Sequence, residues 1–422
     1  MKLLIMADDF TGALDTGIKF SDCGIKTRVM IGSDIDFASV TEEILVVDTE
    51  TRHLTPKKAY EIVERIVIHA VKENITYIYK KTDSALRGNV GSELEALWKA
   101  SGKKMLPFLP AMPKMDRVTI DGIHYISGVP VTQSPFGLDP FEPVKFDRIL
   151  DLIAEQSKAP VYSVKTMAKV EDWKDREGIC VFDAKTDADL EESGKRLFEQ
   201  EKLHVMAGCS GFASILPELL EMKLEAVDRV FDLNPRLLVI CGSVNPITKE
   251  QINEAEKAGF MHKYLTTEQK IVPEYWKSEF GRKALMDIGR ELQLHEYYMI
   301  DSNEKSGSES ILAFAYSRGL KTEEIRQGIS DSIGTLVGEL FTIPSIGTML
   351  ITGGDTLLQC MKHIGVYDIE PMTELENGVV LSKFNYRGSD RYVISKSGGF
   401  GERTLLLDLA KKLKNMQTNQ TK

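Results

Sequence analysis

The 422-residue chain lacks any apolar run of the ~18 residues that a membrane-spanning helix needs, so no such helix is expected. Its start, Met1–Phe10, turns acidic after a short apolar stretch and does not read as a signal peptide. Cysteine is sparse: Cys23, Cys180, Cys209, Cys241 and Cys360 are odd in number, and no pair has metal-ligand or redox spacing. Reduced thiols in a cytoplasm are therefore expected. Positive charge is in deficit, with 53 Lys and Arg against 63 Asp and Glu, a net charge of −10. That balance excludes broad binding to nucleic acid or an anionic membrane, but not an anionic small molecule met by a few local cations. Neither G-x-x-x-x-G-K-[ST] nor G-x-G-x-x-G occurs, which removes the common P-loop and dinucleotide fingerprints.

What is present is alternation. Short apolar runs at Leu3–Met6, Thr27–Ile31, Ile44–Val47 and Thr76–Tyr79 predict strands, with helical periodicity at Asp15–Cys23 and Pro56–Lys72. Thr55 followed by Pro56 is a helix-start signal. Pro107–Pro143 gathers prolines and glycines around short strand-like pieces and predicts a hairpin-containing excursion. Near Leu224–Asn234 the chain turns mixed and charged, and alternation restarts at Leu237–Cys241. The expectation is two α/β domains, residues 1–230 and 231–422, each a largely parallel sheet flanked by helices.

Polar chemistry collects where strands end. Asp8 and Asp9 follow the first strand and precede Thr11-Gly12; a capping Asp would explain them as well as a ligand site would. Thr49-Glu50-Thr51-Arg52 follows the third. Lys80, Lys81, Thr82, Asp83, Ser84 and Arg87 crowd the fourth, where Lys and Arg can hold a carboxylate and an Asp can accept a proton. A solvated charged loop is the plainer reading of that last segment. In the second half, three glycine turns follow strands: Gly242-Ser243, Gly353-Gly354-Asp355-Thr356, and Ser397-Gly398-Gly399. Glycine lets backbone amides approach phosphate oxygens, so three such turns in one domain point to a nucleotide.

These motifs, in this order, resemble the four-carbon acid sugar kinases, together with Pro110–Pro113 and the run Lys396–Gly401. The resemblance spans nearly the whole chain. It implies a sugar-acid domain followed by a nucleotide domain, with the active site in the cleft between them. It implies ATP-dependent phosphorylation of the terminal hydroxyl of threonate, erythronate or 3-oxo-tetronate. It places Asp9, Arg52 and Lys80–Ser84 on the substrate, and Ser243, Gly353–Thr356 and Gly399 on ATP; Arg87 is expected with the first set, and Ser397 and Gly398 with the second, as parts of the same strand-end segments. The chain departs from the family pattern at Val244-Asn245 and at Gly399. In the mechanism that follows, Arg52 and one of Lys80 and Lys81 pair with the substrate carboxylate, and Asp83 or Asp9 takes the hydroxyl proton. Mg2+ bridges the ATP phosphates. The competing reading is a non-catalytic, two-lobed sugar-acid sensor. A symmetric homodimer is the base-rate expectation for assembly.

Overall fold

A computed structural model describes the chain except residues 140–142, 224–230, 232, 306–310, 344–345 and 419–422. The chain divides into two compact units, Met1–Val227 and Asp228–Lys422. Most of the segment 224–234, where the sequence predicts a boundary, lies outside the described residues.

The first unit holds the strands β1 (Leu3–Ala7), β2 (Thr27–Ile31), β3 (Ile44–Asp48), β4 (Tyr77–Lys81) and β5 (Met105–Leu109). A small antiparallel sheet follows, made of β6 (Arg117–Ile120), β7 (Ile123–Ile126) and β8 (Val129–Pro130). It is the excursion that the proline-rich segment predicts. The main sheet resumes with β9 (Val161–Val164), β10 (Gly178–Phe182) and β11 (Val205–Gly208). Its order is β2-β3-β1-β4-β11-β5-β10-β9, every pairing parallel. β1, β3, β5, β10 and β11 are buried along their whole length, as apolar runs covered on both faces must be. Helix Pro56–Lys72 packs the stripe Ala59, Val63, Ile66, Val67 and Ala70 inward. Chain order reverses around β1, which lies between β3 and β4, and ligands of open parallel sheets bind outside such a switch point.

The second unit contains β12 (Leu237–Cys241), β13 (Met261–Tyr264), β14 (Tyr297–Asp301), β15 (Thr348–Thr352), β16 (Asp368–Glu376), β17 (Val379–Tyr386) and β18 (Ser389–Lys396). The order is β13-β14-β12-β15-β18-β17-β16. The first five are parallel; β17 and β16 are added antiparallel. β17 and β18 are joined by the two-residue turn Arg387-Gly388, both at positive φ, as in a type I′ hairpin. The sequence pattern predicts a strand at Tyr392–Ser395 but neither β17 beside it nor β16 beyond β17. It also begins the first helix at Asp15, whereas the helix runs Phe10–Ser21 and starts directly behind Asp9.

Candidate active site

Because β3, β1 and β4 are adjacent and parallel, their carboxyl ends bring three polar segments to one edge. Asp9 caps helix Phe10–Ser21, accepting from the Gly12 amide at 3.2 Å and the Thr11 hydroxyl at 2.7 Å. The capping role and a site role turn out to be compatible, because the same carboxylate also meets Arg52. The Arg52 guanidinium donates to Asp8 through Nε and to Asp9 through Nη2, each at 2.7 Å, and Nη2 lies 3.8 Å from Asp83 Oδ1. Asn89 steadies the Arg52 segment by donating to the carbonyls of Thr51 and Leu54. Asp83 is gripped on both oxygens by Arg87, at 2.7 and 3.0 Å. Burial opposes the charged form of Asp83, but Arg87 and Arg52 outweigh it and hold the carboxyl well below its ordinary range.

The paired lysines diverge, as neighbours on a strand must. Lys80 is fully buried and its ammonium lies 3.1 Å from Glu93 Oε2, with a further bond to the Lys81 carbonyl. Glu93 also accepts from the Thr51 hydroxyl, which ties the helix Val90–Ser101 to the segment after β3. Burial pushes the Glu93 carboxyl up despite the nearby Lys80. Lys81 points elsewhere: its Nζ lies 3.0 Å from where a Cβ on Gly12 would stand, beside the first turn of helix Phe10–Ser21. Its ammonium has no hydrogen bond or ion pair among the described residues, although the residue is 4% exposed. Thr82 bonds the Gly208 carbonyl on β11 through both its amide and its hydroxyl.

The antiparallel excursion closes on the same segment. Arg117 on β6 donates to the Ser84 hydroxyl, and His124 on β7 bonds the Ser84 carbonyl at 3.0 Å. Burial brings His124 down to about 4, so the imidazole is neutral. The guanidiniums of Arg87 and Arg117 both lie over the Phe136 ring, 5.0 and 5.2 Å from its centroid.

In the second unit the adjacent parallel strands β12, β15 and β18 bring the three glycine turns together. Gly353 has φ +103°, a conformation that glycine adopts freely. It leads into helix Gly354–His363, while Asn245 caps helix Pro246–Lys257. Contacts between the turns are close. A Cβ on Gly242 would stand 1.8 Å from Thr356 Oγ1, and one on Gly398 would stand 2.6 Å from Ser243 Oγ. A Cβ on Gly399 would stand 3.6 Å from the Asn245 side-chain nitrogen. Ser243 is steadied through its carbonyl by Asn303, itself bonded to Asp301. Asp355 pairs with Arg326.

Among the described residues no group of three or more His, Cys, Asp or Glu is placed to hold a metal ion. A magnesium ion that accompanies a nucleotide takes most of its oxygen shell from phosphates and water, so this donor set is compatible with one. No described helix is long and apolar enough to cross a membrane.

Asp9, Arg52, Asp83 and Arg87 therefore form one ion network, Ser84 is fastened to the excursion, and Lys80 and Thr82 are committed to internal partners. Ser243, Gly353, Thr356 and Gly398 meet around one edge. The sequence alone does not single out Glu93, Arg117 or His124 as partners of these segments. Glu93 carried a signal: an acid three residues into a helix that follows a lysine-bearing strand.

Residues 3–216 match the family model for a sugar-binding N-terminal domain, and residues 238–406 that for a nucleotide-binding C-terminal domain. The chain is 26% identical to a D-threonate kinase of Salmonella typhimurium over 97% of each chain. It is 24% identical to a D-erythronate kinase of Heliobacterium modesticaldum over 88% of each. It is 21% identical to a 3-oxo-tetronate kinase of Haemophilus influenzae, covering 94% of this chain and 96% of the relative. Its fold matches a Salmonella typhimurium structure described as a putative tRNA synthase, with TM-score 0.77 and 18% identity over 96% of this chain and 98% of that one. A Haemophilus influenzae structure matches with TM-score 0.69 and 19% identity over 97% and 99%. The matched domains span both units in the order that the strand-end motifs follow, and the chain belongs to the four-carbon acid sugar kinase family.

Proposed function

We propose that this chain is an ATP-dependent kinase that phosphorylates the terminal hydroxyl of a four-carbon sugar acid: threonate, erythronate or 3-oxo-tetronate. Residues 1–230 would hold the acid and residues 231–422 the nucleotide. The observation that carries this reading is the pairing of two kinds of strand end: an ion network after β1, β3 and β4, and three glycine turns after β12, β15 and β18.

Phosphoryl transfer asks chiefly for alignment and for charge to be met where it develops. Lys81 is the cation left over for an anionic substrate, since Lys80 is spent on Glu93. Arg52 would share its guanidinium with the substrate carboxylate while Asp8 keeps it oriented. Asp9 is the better proton acceptor of the two candidates. Its side chain is 19% exposed against 9% for Asp83, and Asp83 is held ionised by Arg87, which makes it a weak base. Ser84, fixed by Arg117 and His124, would take a substrate hydroxyl. The turns at Ser243, Gly353–Thr356 and Ser397–Gly399 would receive the phosphates of ATP, with Mg2+ supplying further neutralisation of their charge. The setting that goes with this reading is the cytoplasm, where ATP is at hand and the five free cysteines stay reduced.

Coupled ADP release over a panel of tetronic and pentonic acids tests the reading. ADP should appear above background with one or more four-carbon acids and fall off with five-carbon acids. A flat response across the panel would make the chain a binder without catalysis.

A further inference from the structure

The second unit buries a lysine in a manner unlike Lys80. Lys396, the last residue of β18, is 1% exposed, and its ammonium donates to Thr248 Oγ1 at 3.1 Å and to the carbonyls of Ser397 and Gly398 at 3.0 and 3.2 Å. All three acceptors are neutral. No carboxylate lies within ion-pair distance of it among the described residues. Thr248 in turn donates to the Gly398 carbonyl at 2.8 Å, and Gln251 Nε2 binds the carbonyls of Phe400, Gly401 and Glu402 at 3.0 to 3.1 Å. The carbonyls of this glycine turn are therefore drawn inward. Across each planar peptide the N–H points opposite to the C=O. With the carbonyls of Ser397 and Gly398 held inward, the amides of Gly398 and Gly399 face the other way, and neither has an acceptor among the described residues. Successive outward amides of this kind form an anion-binding concavity.

We infer that Lys396 is a positioning residue for the phosphates of the nucleotide: it fixes the Ser397–Gly401 turn with its amides outward and places beneath them a positive charge that no side chain among the described residues balances. The inference rests on the nucleotide reading of the second unit. A buried charge without a counter-ion is costly, and an anion across the turn repays that cost. Burial brings the Lys396 ammonium down to about 8, and the Cys241 thiol on β12, kept protonated by its own burial, offers it no counter-charge. The carboxylate of Asp301 on β14 is engaged by His262 and Asn303, and Asp355 on helix Gly354–His363 by Arg326. Polyphosphate binding raises the proton affinity of Lys396. Binding therefore takes up a proton above about pH 8, and affinity weakens as pH rises through that value.

Calorimetry of ADP binding to the full chain at pH 8.5, in two buffers of different ionisation heat, reads this uptake directly. The wild type should take up a fraction of a proton and lose up to about tenfold in affinity between pH 7.5 and 9. Lys396→Met should bind ADP about tenfold or more weakly at pH 7.5, lose the pH dependence, and bind sugar acid as before. Lys396→Arg should regain affinity and stay flat with pH, since a guanidinium does not titrate there. ADP binding without proton uptake overturns the inference, even if Lys396→Met does not fold. A folded Met variant with wild-type affinity overturns it too. Absence of ADP binding to the wild type overturns the nucleotide reading and this inference together.

Discussion

At the ends of β1, β3 and β4, buried charges answer one another. Arg52 meets Asp8 and Asp9, Arg87 meets Asp83, and Lys80 meets Glu93. At the ends of β12, β15 and β18 the close contacts are glycine backbone against hydroxyls and amides, with one lysine held by neutral oxygens. The difference follows from what each edge would bind. A sugar acid carries one carboxylate and several hydroxyls whose positions must be read by side chains in fixed rotamers. A polyphosphate presents many equivalent oxygens, and backbone amides serve them without a side chain in the way.

The comparison predicts unequal costs of losing a buried lysine, and this is the largest expected effect. Lys80→Met leaves Glu93 buried and unpaired and should cost about 3–5 kcal/mol of stability in urea titration; adding Glu93→Gln should recover much of it. Lys396→Met strands no acid and should cost less. Equal losses would erase the distinction between the two edges. Next in size, Arg52→Ala should weaken sugar-acid binding by about 2–5 kcal/mol in calorimetry and leave ATP binding unchanged. A matching loss for ATP would mean that the first network supports the whole chain rather than one ligand.

Asp9→Asn should lower kcat by about 100-fold with a modest change in KM for the acid, while Asp83→Asn should raise KM more than it lowers kcat. The reverse pattern in steady-state kinetics would exchange the roles of acceptor and positioning group. The smallest change is in the other unit. Gly353→Ala forces a side chain onto φ +103°, a cost of about 1–3 kcal/mol, and should raise KM for ATP while KM for the acid holds. Unchanged ATP kinetics in that variant would remove the β15 turn from the nucleotide site.

Much of both edges was legible because polar residues directly after an apolar strand have few places to go in a parallel sheet. Asp9, Arg52 and Asp83 were visible on that ground, and so were the glycine turns. The direction of each side chain was less visible. Lys80 and Lys81 read as an equivalent pair, yet the two-residue period of a strand sends one inward to Glu93 and the other to the rim. That Glu93 is the partner of Lys80 is not readable from local pattern, because the two lie on different elements. Arg117 and His124 reach Ser84 from the excursion, a tertiary contact that no local pattern encodes. β16 was missed because its apolar positions alternate with Asp368, Glu370, Glu374 and Glu376, a pattern easily read as a charged loop. The order of the motifs along the chain marks the family more firmly than any single one of them.

The most direct measurement is phosphorus NMR of the product formed from ATP and each four-carbon acid. The account predicts a phosphate monoester on the terminal carbon of one acid, formed with stoichiometric ADP and absent with Asp9→Asn. ATP hydrolysis to free phosphate with no ester, or an ester that Asp9→Asn forms at the wild-type rate, would contradict it.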